Sequence, residues 1–277
     1  MRLNVLDKLD AIMGDVDWGS PETSSDPELV MLANSLRSRL EAANQELYEA
    51  AHAEIALQGN SSALSQWLTD LANDGEREGP QPGLAFDLLD EIVAGVLQLR
   101  GPCDRGFLLS AEMTAEMTAY QPTPARHILD LISACGFSTR DVLVDLGSGL
   151  GHVPLLVNIL AGISTCGVEV QPDYAAGAEE AARRLNLSHV RFTAEDARTM
   201  DLSRGTVFYM FTPFTGSILT DVLDRLHHLS KKRQIRICAL GPCTRILHEQ
   251  NWLAPSRLPD TERITVFTSL PMSDPIE

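Results

Sequence analysis

The chain reads as an α/β protein: a doubly wound, mostly parallel, seven-stranded-type sheet with an N-terminal helical subdomain. Three observations predict this. From Val142 onward, short apolar runs rich in branched residues alternate with stretches of helical period, the pattern of parallel strands joined by crossover helices. The first of these runs, Val142-Leu143-Val144-Asp145, leads into Gly147, Gly149 and Gly151 and then into the apolar stretch Pro154-Leu155-Leu156-Val157. A strand, a glycine turn and a helix make a ligand-binding corner at a strand's carboxyl end. The first hundred residues, by contrast, read as helices. The expected division is a helical subdomain over 1–103 and a sheet domain over 104–277.

Taken in order, Leu3, Leu6, Leu9, Ile12 and Met13 recur at helical spacing. A connector rich in Gly, Ser and Pro follows, with Asp26 set to cap a helix that begins at Pro27. Leu29, Leu32, Leu36, Leu40, Ala43, Leu47, Ala51 and Ile55 mark a long amphipathic helix, ended by Gly59-Asn60-Ser61. The heptad fails at Arg39 and Glu46, so this is a bundle helix and not a coiled coil. Helices are expected over 63–71 and 84–99, separated by a loop over 73–83, and Gly101-Pro102 closes the second. Residues 106–124 join the two parts, with Met113 and Met117 one helical turn apart. Pro122 and Pro124 force extended backbone around Thr123, which is set to cap a helix over 125–135. Beyond the glycine corner, strands are expected over 165–170, 189–193, 206–211 and 234–240, with helices over 175–185 and 217–229. Residues 263–269 close the chain as an antiparallel strand.

Composition narrows the function classes. The 277 residues carry a net charge of −16, mostly in the N-terminal part: residues 1–100 hold 18 acids and 6 bases, and 101–277 hold 20 and 16. A free-standing nucleic-acid binder needs a basic stripe. Only Lys231-Lys232-Arg233 offers one, and it reads as the solvated approach to a strand. No signal peptide and no apolar run of the roughly twenty residues of a membrane span is present. The five cysteines (Cys103, Cys135, Cys166, Cys238, Cys243) are scattered and form no CxxC pair, which disfavours disulfide and zinc frameworks and suits a cytoplasmic setting. His248-Glu249 lacks the second histidine of a zinc helix, because Trp252 stands there. No metal site is expected. Arginine outnumbers lysine heavily, which points to a GC-rich bacterial genome.

The glycine corner separates two cofactor classes. In the dinucleotide pattern G-x-G-x-x-G the third glycine would fall at His152. Here the order is G-x-G-x-G with Asp145 two residues ahead, and a carboxylate there would repel a pyrophosphate but suit a cationic amino group. Twenty-four residues on from Asp145, Gly167-Val168-Glu169-Val170 ends a second strand on an acid suited to ribose hydroxyls. At these residues the chain resembles the class I S-adenosylmethionine (SAM) dependent methyltransferases, whose first motif is D/E-x-G-x-G-x-G. The run DLGSGLG-H-V with G-V-E also resembles, locally, the non-SET histone-lysine methyltransferases and related bacterial enzymes.

The resemblance implies SAM as cofactor and S-adenosylhomocysteine as product. It puts Asp145 near the SAM amino group, with Gly147, Ser148, Gly149 and His152 around the methionine portion. Glu169 and the neighbouring Val170 would take the ribose, and Asp196 and Ala197 the adenine, with Glu195 as the acid that could displace Asp196. Tyr120 and Thr123, in a Tyr-x-Pro-Thr-Pro segment, would line the methionine end. Phe211-Thr212-Pro213-Phe214 resembles the fourth methyltransferase motif, N/D-P-P-Y/F, with Thr212 in place of Asn or Asp and one proline only. That departure weakens adenine or cytosine as the acceptor. Tyr120, His152 and Thr212 are the candidate catalytic residues. The expected acceptor is a small molecule, with a protein side chain of lysine type second; nucleic acid would need a basic face from elsewhere. The N-terminal helices shape the acceptor pocket and offer a surface for a homodimer. Two rival classes stay open at this point: a SAM-binding regulatory protein without turnover, and an NAD-dependent reductase.

Overall fold

In a computed structural model of the protein, residues 27–77, 86–100 and 115–271 are described. The expected helix before Met13, the Asp26 cap, the Gly101-Pro102 break and Met113 lie outside them. Three helices come first: α1 (Pro27–Gln58), α2 (Ser62–Arg77) and α3 (Leu88–Leu97). Then follow α4 (Ala125–Cys135), β1 (Val142–Leu146), α5 (His152–Ala161), β2 (Ser164–Glu169), α6 (Pro172–Arg184) and β3 (Val190–Ala194). The chain continues through β4 (Val207–Phe211), α7 (Gly216–Ser230), β5 (Arg236–Leu240), α8 (Cys243–His248), β6 (Leu253–Pro255) and β7 (Thr265–Ser269).

The sheet has seven strands in the order β3-β2-β1-β4-β5-β7-β6. The first five run parallel, β7 is antiparallel to β5, and β6 is antiparallel to β7. Neighbouring residues on a strand face opposite sides, and the two sides bury two cores. Leu143, Tyr209, Cys238 and Leu240 face a core shared with α4, α5 and the N-terminal helices. Val144, Phe208, Met210, Ile237 and Ala239 face one shared with α7. Strands apolar on both faces explain why their sequence runs are continuous and not alternating.

The N-terminal helices are joined to the first of these cores without a break. Tyr48, Ala51 and Ile55 on α1, Leu64 and Leu68 on α2, and Ile92 and Val96 on α3 belong to the same cluster as Ile128 and Leu155. Polar ties reinforce it: Arg126 pairs with Asp87 at 2.9 Å, and Arg184 donates to the Gln98 carbonyl at 2.8 Å.

Several expectations need correction. Thr123 does not cap α4: its N-cap position is Pro124, and the Ala125 N–H is taken at 2.7 Å by Asp90 of α3. Asp87 and Asp90 form a reciprocal capping box that starts α3 at Leu88 and not at residue 84. α2 runs on to Arg77, into the stretch read as a loop. Met117 lies in an isolated bridge to Phe214 and not on a helical turn. α8 and β6 were not foreseen, because six and three residues are too short to show a period.

Candidate cofactor site and active centre

The chain order reverses between β1 and β4, so the loops after these strands diverge and leave a crevice at their carboxyl ends. A cleft of about 410 Å³ opens there. Of the twelve residues singled out from sequence, all but Gly149 line it. Gly149 lies beneath the ring of Tyr120. Its φ is +51°, and a Cβ there would sit 2.1 Å from that ring, so only glycine satisfies both the turn and the close approach.

The floor of the cleft carries two carboxylates. Glu169, at the end of β2, is 7% exposed and accepts the Gly149 and Gln171 N–H groups, each at 2.9 Å. Each of its oxygens therefore retains accepting capacity. Asp145, one residue before the end of β1, is 4% exposed, and its carboxylate has no hydrogen-bond partner among the described residues. Burial pushes its carboxyl well above the usual range, and the charge of Glu169 pushes it further. Burial likewise raises Glu169, against the backbone N–H groups of Gln171, Gly149 and Val170 that lower it. Among the described lining residues there is neither lysine nor arginine. Two buried acids without a counter-cation leave a site that a positive charge and hydroxyl donors would relieve.

A strap formed by residues 115–123 crosses the cleft, and it is fastened at both ends. At one end the Glu116 carboxylate accepts the Ile218 N–H at 2.9 Å, and its carbonyl accepts the Thr215 N–H at 2.7 Å. α7 has no side-chain cap of its own, so Glu116 supplies one, and the Ile218 and Ser217 N–H groups hold its carboxyl below the usual range. Thr118 N–H to the Pro213 carbonyl, at 3.1 Å, continues the fastening. At the other end the Thr123 hydroxyl shares a 2.9 Å hydrogen bond with the buried Tyr209 hydroxyl.

Between these ends Tyr120 reaches over the glycine turn. Its hydroxyl stands 3.3 Å from His152 Nδ1, and its ring lies 4.8 Å from that of Tyr174, tilted by 38°. Burial lowers His152 to a pKa of about 4 and raises the Tyr120 phenol. At neutral pH the imidazole is therefore uncharged and the phenol protonated.

Two predicted residues are already engaged. Asp196 receives Arg198 through the guanidinium, at 2.7 Å for Nη2, and through its backbone N–H at 2.8 Å. It lines the cleft with its acidity shared, and Arg198 holds its carboxyl below the usual range. Glu195 is exposed beside it. Thr212 has φ +40°, unusual for a β-branched residue, and a backbone of that kind costs about 1–3 kcal/mol. Its hydroxyl donates to the Leu240 carbonyl and accepts the Cys243 N–H, both at 3.1 Å. Those bonds hold the loops after β4 and β5 together and offset the strain.

Sequence reasoning missed Glu116, Gln171, Tyr174 and Tyr209. Tyr174, two residues into α6, stands close to the motif that ends at Glu169 and was legible as a neighbour of the ribose acid. Gln171 meets Glu169 from two residues on, through its backbone N–H, whereas Glu116 and Tyr209 reach partners some ninety to one hundred positions away that nothing local marks.

The residues fit SAM. Its ammonium matches the unpartnered Asp145, its ribose hydroxyls match the accepting capacity left on Glu169, and the glycine turn admits its close approach. A dinucleotide would set its pyrophosphate against Asp145.

Comparison with known proteins agrees. The family model described as histone methylation protein DOT1 matches residues 114–209, which span the strap, the glycine corner and the strand end at Tyr209. No functionally curated protein matches. The fold is similar to that of an RNA methyltransferase from Salinibacter ruber solved with S-adenosylhomocysteine, at 24% identity and a TM-score of 0.42, covering 57% of this chain and 98% of that one. It is similar also to a human methyltransferase 10 domain containing protein, at 13% identity and a TM-score of 0.43, covering 66% and 93%. A precorrin-6y C5,15-methyltransferase from Geobacter metallireducens gives 14% identity and a TM-score of 0.41, covering 57% and 95%. Its strand order, its paired strand-end acids and the family-model match over residues 114–209 give this chain the fold and the cofactor corner of a class I SAM-dependent methyltransferase.

Proposed function

We propose that this methyltransferase acts on an amine nitrogen, carried by a protein side chain of lysine type. The observation that carries this reading is the charge of the cleft: carboxylates and aromatic rings, with no cation among the described lining residues. Phe211, Phe214 and Tyr120 make the wall beyond Asp145 apolar and aromatic, a surface that receives a cationic or neutral amine and repels phosphate. The family-model match, by its printed description, supports a protein as the carrier of that amine. A small-molecule amine is the second reading, favoured by the strap that roofs the cleft and limits its width.

SAM supplies an already activated methyl group, so the chain's residues need only bind, orient and exclude water. Asp145 would hold the cofactor's ammonium end and Glu169 its ribose, while Ser148, Val170, Asp196 and Ala197 would enclose the rest. Tyr120, hydrogen-bonded to the neutral His152, would stand beside the acceptor's line of approach. His152 stays uncharged and so does not repel an incoming amine. Thr212 contributes by fixing the loop that carries Pro213 and Phe214. The acceptor ammonium loses its proton to solvent before reaction.

The test is transfer from methyl-tritiated SAM, offered with core histones, a panel of small amines, or tRNA. Label recovered on protein lysine supports the first reading. Label on a small amine moves the function to the second. Transfer to tRNA alone, or turnover with no amine in a protein that binds SAM, would refute both.

A further inference from the structure

We propose that Cys135 and Cys238 form an oxidisable dithiol, a modification site that takes a hydroperoxide-type two-electron oxidant and closes to a disulfide. Their sulfurs lie 3.1 Å apart, closer than unbonded sulfurs ordinarily approach and about 1 Å beyond a disulfide bond of roughly 2.05 Å. Both thiols are free. Cys135 is the last residue of α4, and Cys238 is the middle residue of β5, so the bond would join helix to sheet.

The surroundings divide the two roles. Cys238 is fully buried, whereas Cys135 is 7% exposed and flanked by the exposed Ala134 and Gly136 at the helix end, where a small oxidant reaches it. Arg236, two residues before Cys238 and on the same face of the strand, donates to the Cys135 carbonyl and pairs with Asp141 at 2.8 Å. Its guanidinium lies 5.9 Å above the centre of the Phe137 ring. The arginine thus fixes the end of α4 and sets a positive charge beside Cys135. The hydrogen bond shared with Cys238, and then that charge, hold the Cys135 thiol below its ordinary range despite burial. The same shared bond, together with complete burial, raises the Cys238 thiol. Cys135 is therefore the nucleophile and Cys238 the resolving thiol.

The remaining described thiols are placed otherwise. Burial and the neighbouring Glu195 push Cys166 up to about 11, and Cys243 is buried with its thiol donating to the Leu240 carbonyl.

The chemistry balances. The Cys135 thiolate attacks one oxygen of the hydroperoxide, the O–O bond breaks, and the alkoxide leaves to take up a proton as the alcohol. The Cys135 sulfenic acid is then attacked by the Cys238 sulfur, the S–O bond breaks, and hydroxide leaves as water with the Cys238 proton. Two thiols are oxidised and one hydroperoxide is reduced.

The test treats the full chain with hydrogen peroxide, alkylates it in denaturant with N-ethylmaleimide, and maps peptides without reduction. The expected result is a linked Cys135–Cys238 peptide pair two hydrogens lighter than the free peptides, with two of the five thiols lost to alkylation and restored by dithiothreitol. Cys135→Ser and Cys238→Ser each remove the linked pair, and Cys238→Ser leaves a dimedone-reactive sulfenic acid on Cys135. Full alkylation of both thiols after exposure would overturn the proposal. So would oxidation of Cys135 to the sulfinic acid without linkage in the wild type, or linkage through other cysteines.

Discussion

Replacing Glu169 by alanine tests the core of the site. In the empty protein its carboxylate accepts two backbone N–H groups and, by the present reading, meets two ribose hydroxyls when SAM is bound. A hydrogen bond to a charged group contributes about 1.5–3 kcal/mol, so losing both ribose contacts should cost about 3–6 kcal/mol, or between a hundredfold and a few ten-thousandfold in Kd. One effect works in the other direction. Glu169 repels Asp145, so its removal lets Asp145 ionise more readily and returns part of the loss below neutral pH. At pH 8 that compensation is smallest, and Glu169→Ala should weaken S-adenosylhomocysteine binding at least a hundredfold by calorimetric titration. Glu169→Gln makes a sharper probe. Its amide N–H₂ would face the Gly149 or the Gln171 N–H, donor against donor, so it should lose affinity and also lower the melting temperature. An S-adenosylhomocysteine analogue without ribose hydroxyls completes a double-mutant cycle: its affinity should be nearly the same for the wild type and Glu169→Ala. Affinity within threefold of wild type for the natural ligand, in a variant that melts normally, would refute the ribose assignment.

Four further outcomes follow from the same geometry. The raised Asp145 and Glu169 make the empty chain less stable as pH climbs from the ordinary carboxylate range through their folded pKa values, because the folded form holds protons that the unfolded form releases. SAM needs Asp145 ionised, so the rise in melting temperature that it gives should be larger at pH 8 than at pH 5; an equal rise at both would count against Asp145 as its partner. Gly149→Ala should cost about 1–2 kcal/mol from its left-handed backbone alone and should also displace Tyr120, seen as lower stability together with weaker ligand binding. Glu116→Ala removes the cap on α7 and loosens the strap, so severalfold weaker binding with little loss of secondary structure is expected, and unchanged affinity would free the strap from any part in holding the cofactor. If the acceptor is an amine that binds as ammonium, kcat/KM should rise close to tenfold per pH unit up to a pKa of about 10, whereas a flat profile would exclude such an acceptor.

Legibility in the sequence followed the range of the interactions. The corner Asp145-Leu146-Gly147-Ser148-Gly149 and the acid at Glu169 could be read directly because each is a strand end followed by its own turn. The strands β1, β4 and β5 could be read because burial on both faces makes each a nearly continuous apolar run. Thr123 misled because its local setting, between two prolines before a helix, is that of a cap, while the donor it would have served is taken by Asp90 from thirty-five residues away. Glu116 reads as one more acid in the repeated Ala-Glu-Met-Thr of 111–118, and nothing near it announces that it will cap a helix a hundred residues later. Thr212 stands out in the sequence by its motif position, which says nothing of where its hydroxyl bonds. A hydroxyl that could face an acceptor is instead committed to the loops after β4 and β5, and only its backbone angle reveals how tightly they are held.

The same electrostatics links stability, cofactor and acceptor. A protein that buries Asp145 without a partner gives up stability that a hydrogen-bonded or apolar residue there would retain. The loss is offset when a ligand brings a positive charge, so the free energy of binding includes the relief of a strain built into the empty chain. Such a site discriminates by charge before it discriminates by shape: a phosphate-bearing cofactor would add to the repulsion that SAM removes. The acceptor meets the same field from the far side of the cleft. There His152 could have supplied a positive charge and does not, since burial keeps it neutral. An amine approaching the methyl group therefore encounters two acids, several aromatic faces and an uncharged imidazole, whereas a nucleic-acid backbone would carry its phosphates toward carboxylates with no cation among the described lining residues to receive them. The reading of the cofactor and the reading of the acceptor thus rest on one property of the cleft, and a cation found to enter it from the residues before 115 would weaken the second while leaving the first intact.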